Sequence, residues 1–444
     1  MTEQTVSAQT AITHRRVLKI ALPIVLSNAT VPILGAVDVG VVGQMGEAAP
    51  IGAVGLGAII LSTIYWIFGF LRMGTVGLVG QAEGAGDKAE VSAWLTRALV
   101  VALVGGVMLI VLQPLIFWGA LQLAPASDEV ESLAKQYLTI RIWTAPAAIA
   151  VYALTGWLVA MEKTAGVFWV QLTMNGVNIL LDLLFVLVFD WGVPGVAIAT
   201  VIAEITGAAL GLWFCRGAFA RPDWRDWPRI FNRAKLVRMA LLNTDILLRS
   251  AMLMIIFSSF VFIGARFGDV TLAANEVLIQ FMYITAYAMD GFAFAAETLI
   301  ARAIGRGDRS YVRRSAVVTS IWGLAICVSM ALGFALAGGW IIDVMAKDVD
   351  VQNTARNFLP YMVVAPLLGC AAWMLDGIFI GATRSKDMRN MMALSFVIYW
   401  AAIFILLPLM GNHGLWLALL ISFIARGVTL GARYPALERQ VESA

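Results

Sequence analysis

The sequence predicts an all-α integral membrane protein. Its twelve transmembrane helices form two six-helix lobes related by a pseudo-two-fold axis along the membrane normal. Three observations lead there. Of 444 residues, 61% are hydrophobic and only 13% are charged, with a mean hydropathy of +0.85; soluble domains run near roughly 45–50% and about 25%. Apolar runs recur along the whole chain, many longer than the ~20 residues that cross a bilayer. Three short motifs recur in the same order at an offset of about 220 residues.

Breakers between the runs place the spans at roughly 17–43, 51–82, 92–122, 132–160, 164–189 and 194–216 in the first half. The second half gives 237–265, 270–302, 312–338, 354–381, 388–410 and 413–433. The first fourteen residues are polar, so no cleavable signal is expected ahead of span one. The chain thus reads as a tail (1–16), an N-terminal lobe (17–217), a linker (218–236), a C-terminal lobe (237–433) and a second tail (434–444).

Span two closes at Gly84-Ala-Gly-Asp87, which matches Gly305-Arg-Gly-Asp308 after span eight. Ala145-Pro146 in span four matches Ala365-Pro366 in span ten. Trp191-Gly-Val-Pro-Gly195 before span six matches Met410-Gly-Asn-His-Gly414 before span twelve. Six spans per half is an even number, so both halves enter from the same side and the repeat is parallel. Parallel repeats of this kind belong to secondary transporters.

Loop charge orients the spans. Arg15, Arg16 and Lys19 precede span one. The linker carries Arg221, Arg225, Arg229, Arg233 and Lys235, flanked by Arg216 and Arg238, and Trp224 and Trp227 lie among them. Arg306, Arg309, Arg313 and Arg314 follow span eight, and Arg384, Lys386 and Arg389 follow span ten. All fall on one side. The other side carries Glu47, Asp128, Glu129, Glu131, Asp190, Asp269, Asp343, Asp348 and Asp350. The basic side is cytoplasmic, so both termini are expected in the cytoplasm and the chain in the cytoplasmic (inner) membrane. The linker suits either a segment on the membrane surface or a solvated connection.

The composition excludes a soluble enzyme and a disordered chain. Net charge +3 without a Lys/Arg stripe argues against nucleic acid. Cys215, Cys327 and Cys370 are scattered through apolar runs, and His14 and His413 lie at opposite ends. Neither set has metal or disulfide spacing. No phosphate-binding or nucleophile motif is present. No cofactor and no metal are expected.

Polar groups inside the spans carry the functional signal, because a charge at bilayer depth costs at least ~2.5–3.5 kcal/mol. Asp38 lies in Gly35-Ala-Val-Asp-Val-Gly40, beyond Pro23 and with no neutralising neighbour in sequence. Burial disfavours its charged form, which suits it to exchange a proton or a monovalent cation; a structural hydrogen bond is the alternative. Pro23 offers span one a bending point. Asn175, Asn178 and Asp182, spaced i, i+3, i+7, form one stripe in span five. That stripe faces a cavity or glues helices together. Glu204 in span six either joins the stripe or pairs with Arg141. Asp245 and Arg249, spaced i, i+4 in span seven, read as an intrahelical ion pair. Span eight holds Asn275, Glu276, Gln280, Asp290 and Glu297, and span ten holds Asp376. Arg249 with Asp290 reads as a buried pair or as part of a substrate path.

At these residues the chain resembles the multidrug and toxic compound extrusion (MATE) family. The resemblance rests on Ala21-Leu-Pro-Ile-Val-Leu-Ser-Asn28 followed by Val37-Asp38, on Gly80-Gln-Ala-Glu-Gly-Ala-Gly-Asp87, and on the parallel repeat. The segments from Asp245-Ile-Leu-Leu-Arg249 through Ala273-Ala-Asn275 to Asp290-Gly-Phe-Ala-Phe-Ala-Ala-Glu297 resemble its DinF-type branch. The resemblance implies export of amphipathic, often cationic compounds, driven by an inward proton or sodium gradient. It carries the coupling role onto Asp38, Asn178 and Asp182. Asn175, Glu204, Arg249, Asp290 and Pro23 become cavity candidates. The sodium-coupled branch implies an acid in span seven near the cavity; that neighbourhood offers Arg249, with Asp245 one turn earlier, a departure that favours protons through the first lobe. The expected partners are a proton, a small amphipathic molecule and the bilayer, with one chain as a complete unit. An organic-anion exporter using Arg249 and a lipid-precursor flippase are the alternatives.

Overall fold

In lipid, every backbone N–H and C=O must be satisfied within its own segment, so long apolar runs fold as helices. The computed structural model describes residues 12–44, 48–123 and 126–441, with the backbone alone described at 33–36, 38, 39, 48 and 440. The runs form α1 (His14–Gly43), α2 (Ala49–Gly84), α3 (Lys88–Leu123), α4 (Asp128–Ala160), α5 (Thr164–Val188) and α6 (Gly192–Phe214). They continue as α7 (Arg233–Phe267), α8 (Asp269–Arg306), α9 (Arg309–Met345), α10 (Val349–Gly381), α11 (Ser385–Met410) and α12 (Asn412–Gln440). Among the described residues, eleven helices, α2 to α12, are long and apolar enough to cross a membrane. Helix α1 has 30 residues, about 45 Å at 1.5 Å per residue. No strand occurs among the described residues.

Several helices begin a turn earlier than their apolar runs. The cause is capping by a polar residue outside the run. Asp87 caps α3, Ser127 caps α4, Asp308 caps α9 and Asp348 caps α10.

The internal repeat is visible in the backbone. Among the described residues, six of the eight with positive φ fall in pairs 221 positions apart: Gly86 with Gly307, Glu162 with Thr383, and Asp190 with Gly411. The first pair belongs to the Gly-x-Gly-Asp motif. Positive φ there turns the chain sharply after a helix, at little cost to glycine. The aspartate that follows then caps the next helix. Asp87 Oδ1 accepts from the Glu90 N–H at 3.0 Å, and Asp308 Oδ1 from the Tyr311 N–H at 3.0 Å. The same spacing relates two helix crossings. A Cβ on Gly156 of α4 would lie 2.7 Å from the Arg72 carbonyl oxygen of α2. One on Gly377 of α10 would lie 2.6 Å from the Ala293 carbonyl oxygen of α8. Small residues permit this close approach.

Packing groups the chain into two units. Leu26–Arg238 forms one; the other runs from Met239 onward and includes α1 up to Val25. The sequence places all of span one in the N-terminal lobe, whereas this division falls just after Pro23. In the first unit α2 and α3 pack on α4, and α5 packs on α6. In the second, α8 and α9 pack on α10, and α11 on α12.

Three short helical turns, Arg216–Phe219, Pro222–Arg225 and Trp227–Ile230, form the linker. Arg97 of α3 straps it to the first unit. Its Nε donates to the Ile230 carbonyl at 2.9 Å and its Nη2 to the Arg229 carbonyl at 2.6 Å. Its Nη1 pairs with Glu90 at 2.6 Å.

Candidate functional site

In the first unit, the polar stripe of α5 is fully buried: Asn175, Asn178 and Asp182 are 3%, 2% and 0% exposed. Their amides are used in a defined order. Gln171 Nε2 donates to Asn175 Oδ1 at 2.9 Å, and Asn175 Nδ2 donates to Thr30 Oγ1 of α1 at 2.8 Å. Asn178 Nδ2 donates to Asp182 Oδ2 at 2.8 Å and reaches Thr200 Oγ1 of α6 at 3.5 Å. The stripe therefore joins α1, α5 and α6. Immediately after Asp182 the helix widens into a π turn, Leu183–Val188. Such turns often accompany functional sites, and no residue in this stretch announces it.

Glu204 lies one turn beyond Thr200 on α6. It accepts hydrogen bonds from Arg141 and from Thr144 Oγ1. Arg141 also donates to Tyr137 Oη at 3.0 Å. Of the two roles the sequence offers Glu204, the geometry supplies the pair with Arg141. Pro23 lies inside α1, half-buried. Asp38 is on α1, but its side chain lies outside the described residues.

In the second unit the expected Asp245–Arg249 pair does not form. Asp245 accepts from Arg389 of α11 at 2.5 Å and from Ser385 Oγ at 2.9 Å. Arg249 instead pairs with Asp376 of α10. The i, i+4 spacing permits a contact along one helix, but helices packed side by side brought better-placed partners to both groups. Arg249 is matched by Asp376 rather than by Asp290, which sits half-buried on α8. Arg426 of α12 approaches the same Asp376 oxygen at 3.6 Å. Asn275 is absorbed in packing: it exchanges amide hydrogen bonds with Asn412 at 2.8 and 3.0 Å, and accepts from Trp416 Nε1 at 3.0 Å.

Two buried arginines escape the sequence analysis. Arg97 lies in the first third of α3 and Arg426 at the middle of α12, both inside apolar spans. The cost of a charge inside a span was the available signal. Among the described residues no group of three or more His, Cys, Asp or Glu is placed to hold a metal ion, and the three cysteines are free and buried.

The MatE family model matches residues 23–184 and 246–405, one segment in each half of the repeat. The chain is 35% identical to DNA damage-inducible protein F of Escherichia coli (strain K12), over 93% of this chain and 90% of that one. It is 26% identical to the probable multidrug resistance protein NorM of Rhizobium meliloti (strain 1021), over 97% and 95%. Its fold is similar to that of the Vibrio cholerae MATE transporter VcmN in the bent form, with a TM-score of 0.87 at 18% identity. That match covers 96% of this chain and 97% of the other.

Proposed function

The chain belongs to the MatE family of multidrug and toxic compound efflux transporters, and from that premise we propose that it is a proton-coupled antiporter exporting amphipathic, often cationic compounds. It is a membrane transporter and not an enzyme. In this reading twelve helices form two lobes in the cytoplasmic membrane, both termini face the cytoplasm, and one chain is the working unit. Asp38 is the protonation switch, and Asn178 and Asp182 are its partners.

The observation that carries the reading is the buried amide and carboxylate stripe of α5, tied to α1 through Asn175 and Thr30. Lipid would not solvate such a stripe. Protonation of Asp38 from outside removes its charge and its hold on the Asn178/Asp182 cluster. Helix α1 then bends near Pro23, where the missing N–H weakens the helix. The cavity narrows and substrate leaves outward; deprotonation toward the cytoplasm resets the site. One charge crossing ~100 mV supplies ~2.3 kcal/mol, nearly fifty-fold accumulation at tenfold per ~1.4 kcal/mol.

The test is efflux of a fluorescent lipophilic cation from proteoliposomes. A proton gradient alone should drive it. Efflux under a sodium gradient alone, with none under protons, would overturn proton coupling.

A further inference from the structure

We propose that α7 and α11 hold one phospholipid on the outside of the second unit, with its phosphate on Arg266 and an acyl chain in the cleft beside it. The inference is independent of the export reading.

The two helices are tied at two levels. Toward the linker, Asp245 of α7 accepts from Arg389 and Ser385 of α11. Further along, Ser259 Oγ and Tyr399 Oη lie 3.0 Å apart. Beyond this second tie the helices leave a cleft of about 460 Å³ between them. Small-molecule sites run from roughly 300 to 1,000 Å³.

Both walls of the cleft are apolar. Phe262 and Ile263 come from α7; Trp400, Ile403, Phe404 and Leu407 come from α11. Phe262 and Phe404 are each 75% exposed, one on each helix, so the cleft opens outward rather than into the packed interior. Ile403, at 3%, forms its floor. On helices that cross a membrane, an outward apolar surface faces acyl chains. A chain lying in the cleft gains the dispersion contacts that an empty trough lacks.

Charge is confined to one end. Ser259 is already engaged with Tyr399 and donates to the Ile256 carbonyl at 2.8 Å. Arg266 lies at the other end of the cleft, in the last turn of α7, and is exposed. It has no ion-pair partner among the described residues. From Ser259 to Arg266 the helix rises roughly 10 Å at 1.5 Å per residue. A cation thus stands where the span ends, and an apolar trough runs from it toward the membrane interior. A phospholipid has the same layout, with a phosphate at the interface and chains pointing inward. The guanidinium fork suits a phosphodiester, and basic groups between membrane helices hold lipid head groups. A cationic amphiphile would be repelled by Arg266, which sets this cleft apart from the proposed export path.

Native mass spectrometry of the purified full-length protein, titrated with phosphatidylglycerol, tests the site. One lipid should bind saturably, and diacylglycerol, which lacks the phosphate, should bind about tenfold more weakly. Arg266→Gln should weaken phosphatidylglycerol about tenfold, the scale of one charge-assisted hydrogen bond. Leu407→Trp fills the cleft and should expel the lipid with Arg266 intact. Arg266 is exposed, so its glutamine variant should fold and carries the test if the tryptophan variant does not. Arg356→Gln, which removes an exposed arginine paired with Asp343, should leave binding unchanged. Absence of a saturably bound lipid, equal affinity for diacylglycerol, unchanged affinity in either folded cleft variant, or an equal loss in Arg356→Gln would overturn the assignment.

Discussion

Asn175 on α5 donates its side-chain N–H to Thr30 Oγ1 on α1 at 2.8 Å. Thr30 lies beyond Pro23, in the part of α1 that packs with the first unit. The bond joins the helix proposed to bend to the helix that carries the buried Asn178–Asp182 pair. Its donor is also fixed from the other side, because Asn175 Oδ1 accepts from Gln171.

Thr30→Val removes the acceptor and keeps the side-chain volume. We expect proton-driven efflux to fall about five- to tenfold, from the loss of ~1–1.4 kcal/mol of hydrogen bonding in one conformer. Thr30→Ser should restore it. Initial rates in proteoliposomes would show this, and a valine variant as fast as wild type would count against the contact.

The Arg141–Glu204 pair makes a prediction about stability. Removing one partner of a buried pair strands the other charge, at a cost of ~3–5 kcal/mol. Glu204→Gln and Arg141→Gln should each lower the melting temperature in detergent. The double variant should recover part of the loss, since neither charge is then left alone. Additive losses would contradict the pairing.

The repeat predicts matched sensitivity at two glycines. Gly156→Ala and Gly377→Ala both push a Cβ against a carbonyl oxygen of the neighbouring helix. Each should destabilise by ~1–3 kcal/mol, as overpacking does. Gly333→Ala, with open space around it, should be neutral or gain ~0.5–1 kcal/mol. Thermal melts of the three variants make the comparison.

Arg97→Met should loosen the linker. Three hydrogen bonds from Arg97 hold the Arg229 and Ile230 carbonyls and Glu90. Without them, trypsin should cut at the exposed Arg225 and Arg233 about tenfold faster. Unchanged cleavage would show that Arg97 does not restrain the linker.

Much of this was legible in the sequence. Apolar runs place the helices because bilayer thickness sets their length, and the Gly-x-Gly-Asp motifs mark real structural equivalents. The Asn175/Asn178/Asp182 stripe follows from helical periodicity alone. What escaped depends on neighbours that only folding brings together. Asp245 and Arg249 have the spacing of an ion pair, yet each finds its partner on another helix. Arg426 and Arg97 receive no role from the sequence, yet both are buried. Glu162 and Thr383 adopt left-handed backbone without a glycine to announce it. Charged residues inside the helices pair according to tertiary position, which period and composition do not encode.

The central claim is that a proton taken up on α1 drives export. The most direct measurement compares wild-type protein with Asp38→Asn in proteoliposomes under an imposed proton gradient, following a fluorescent lipophilic cation. The account predicts efflux in wild type and none in a folded variant that still binds the cation. Gradient-driven efflux retained by Asp38→Asn would contradict it.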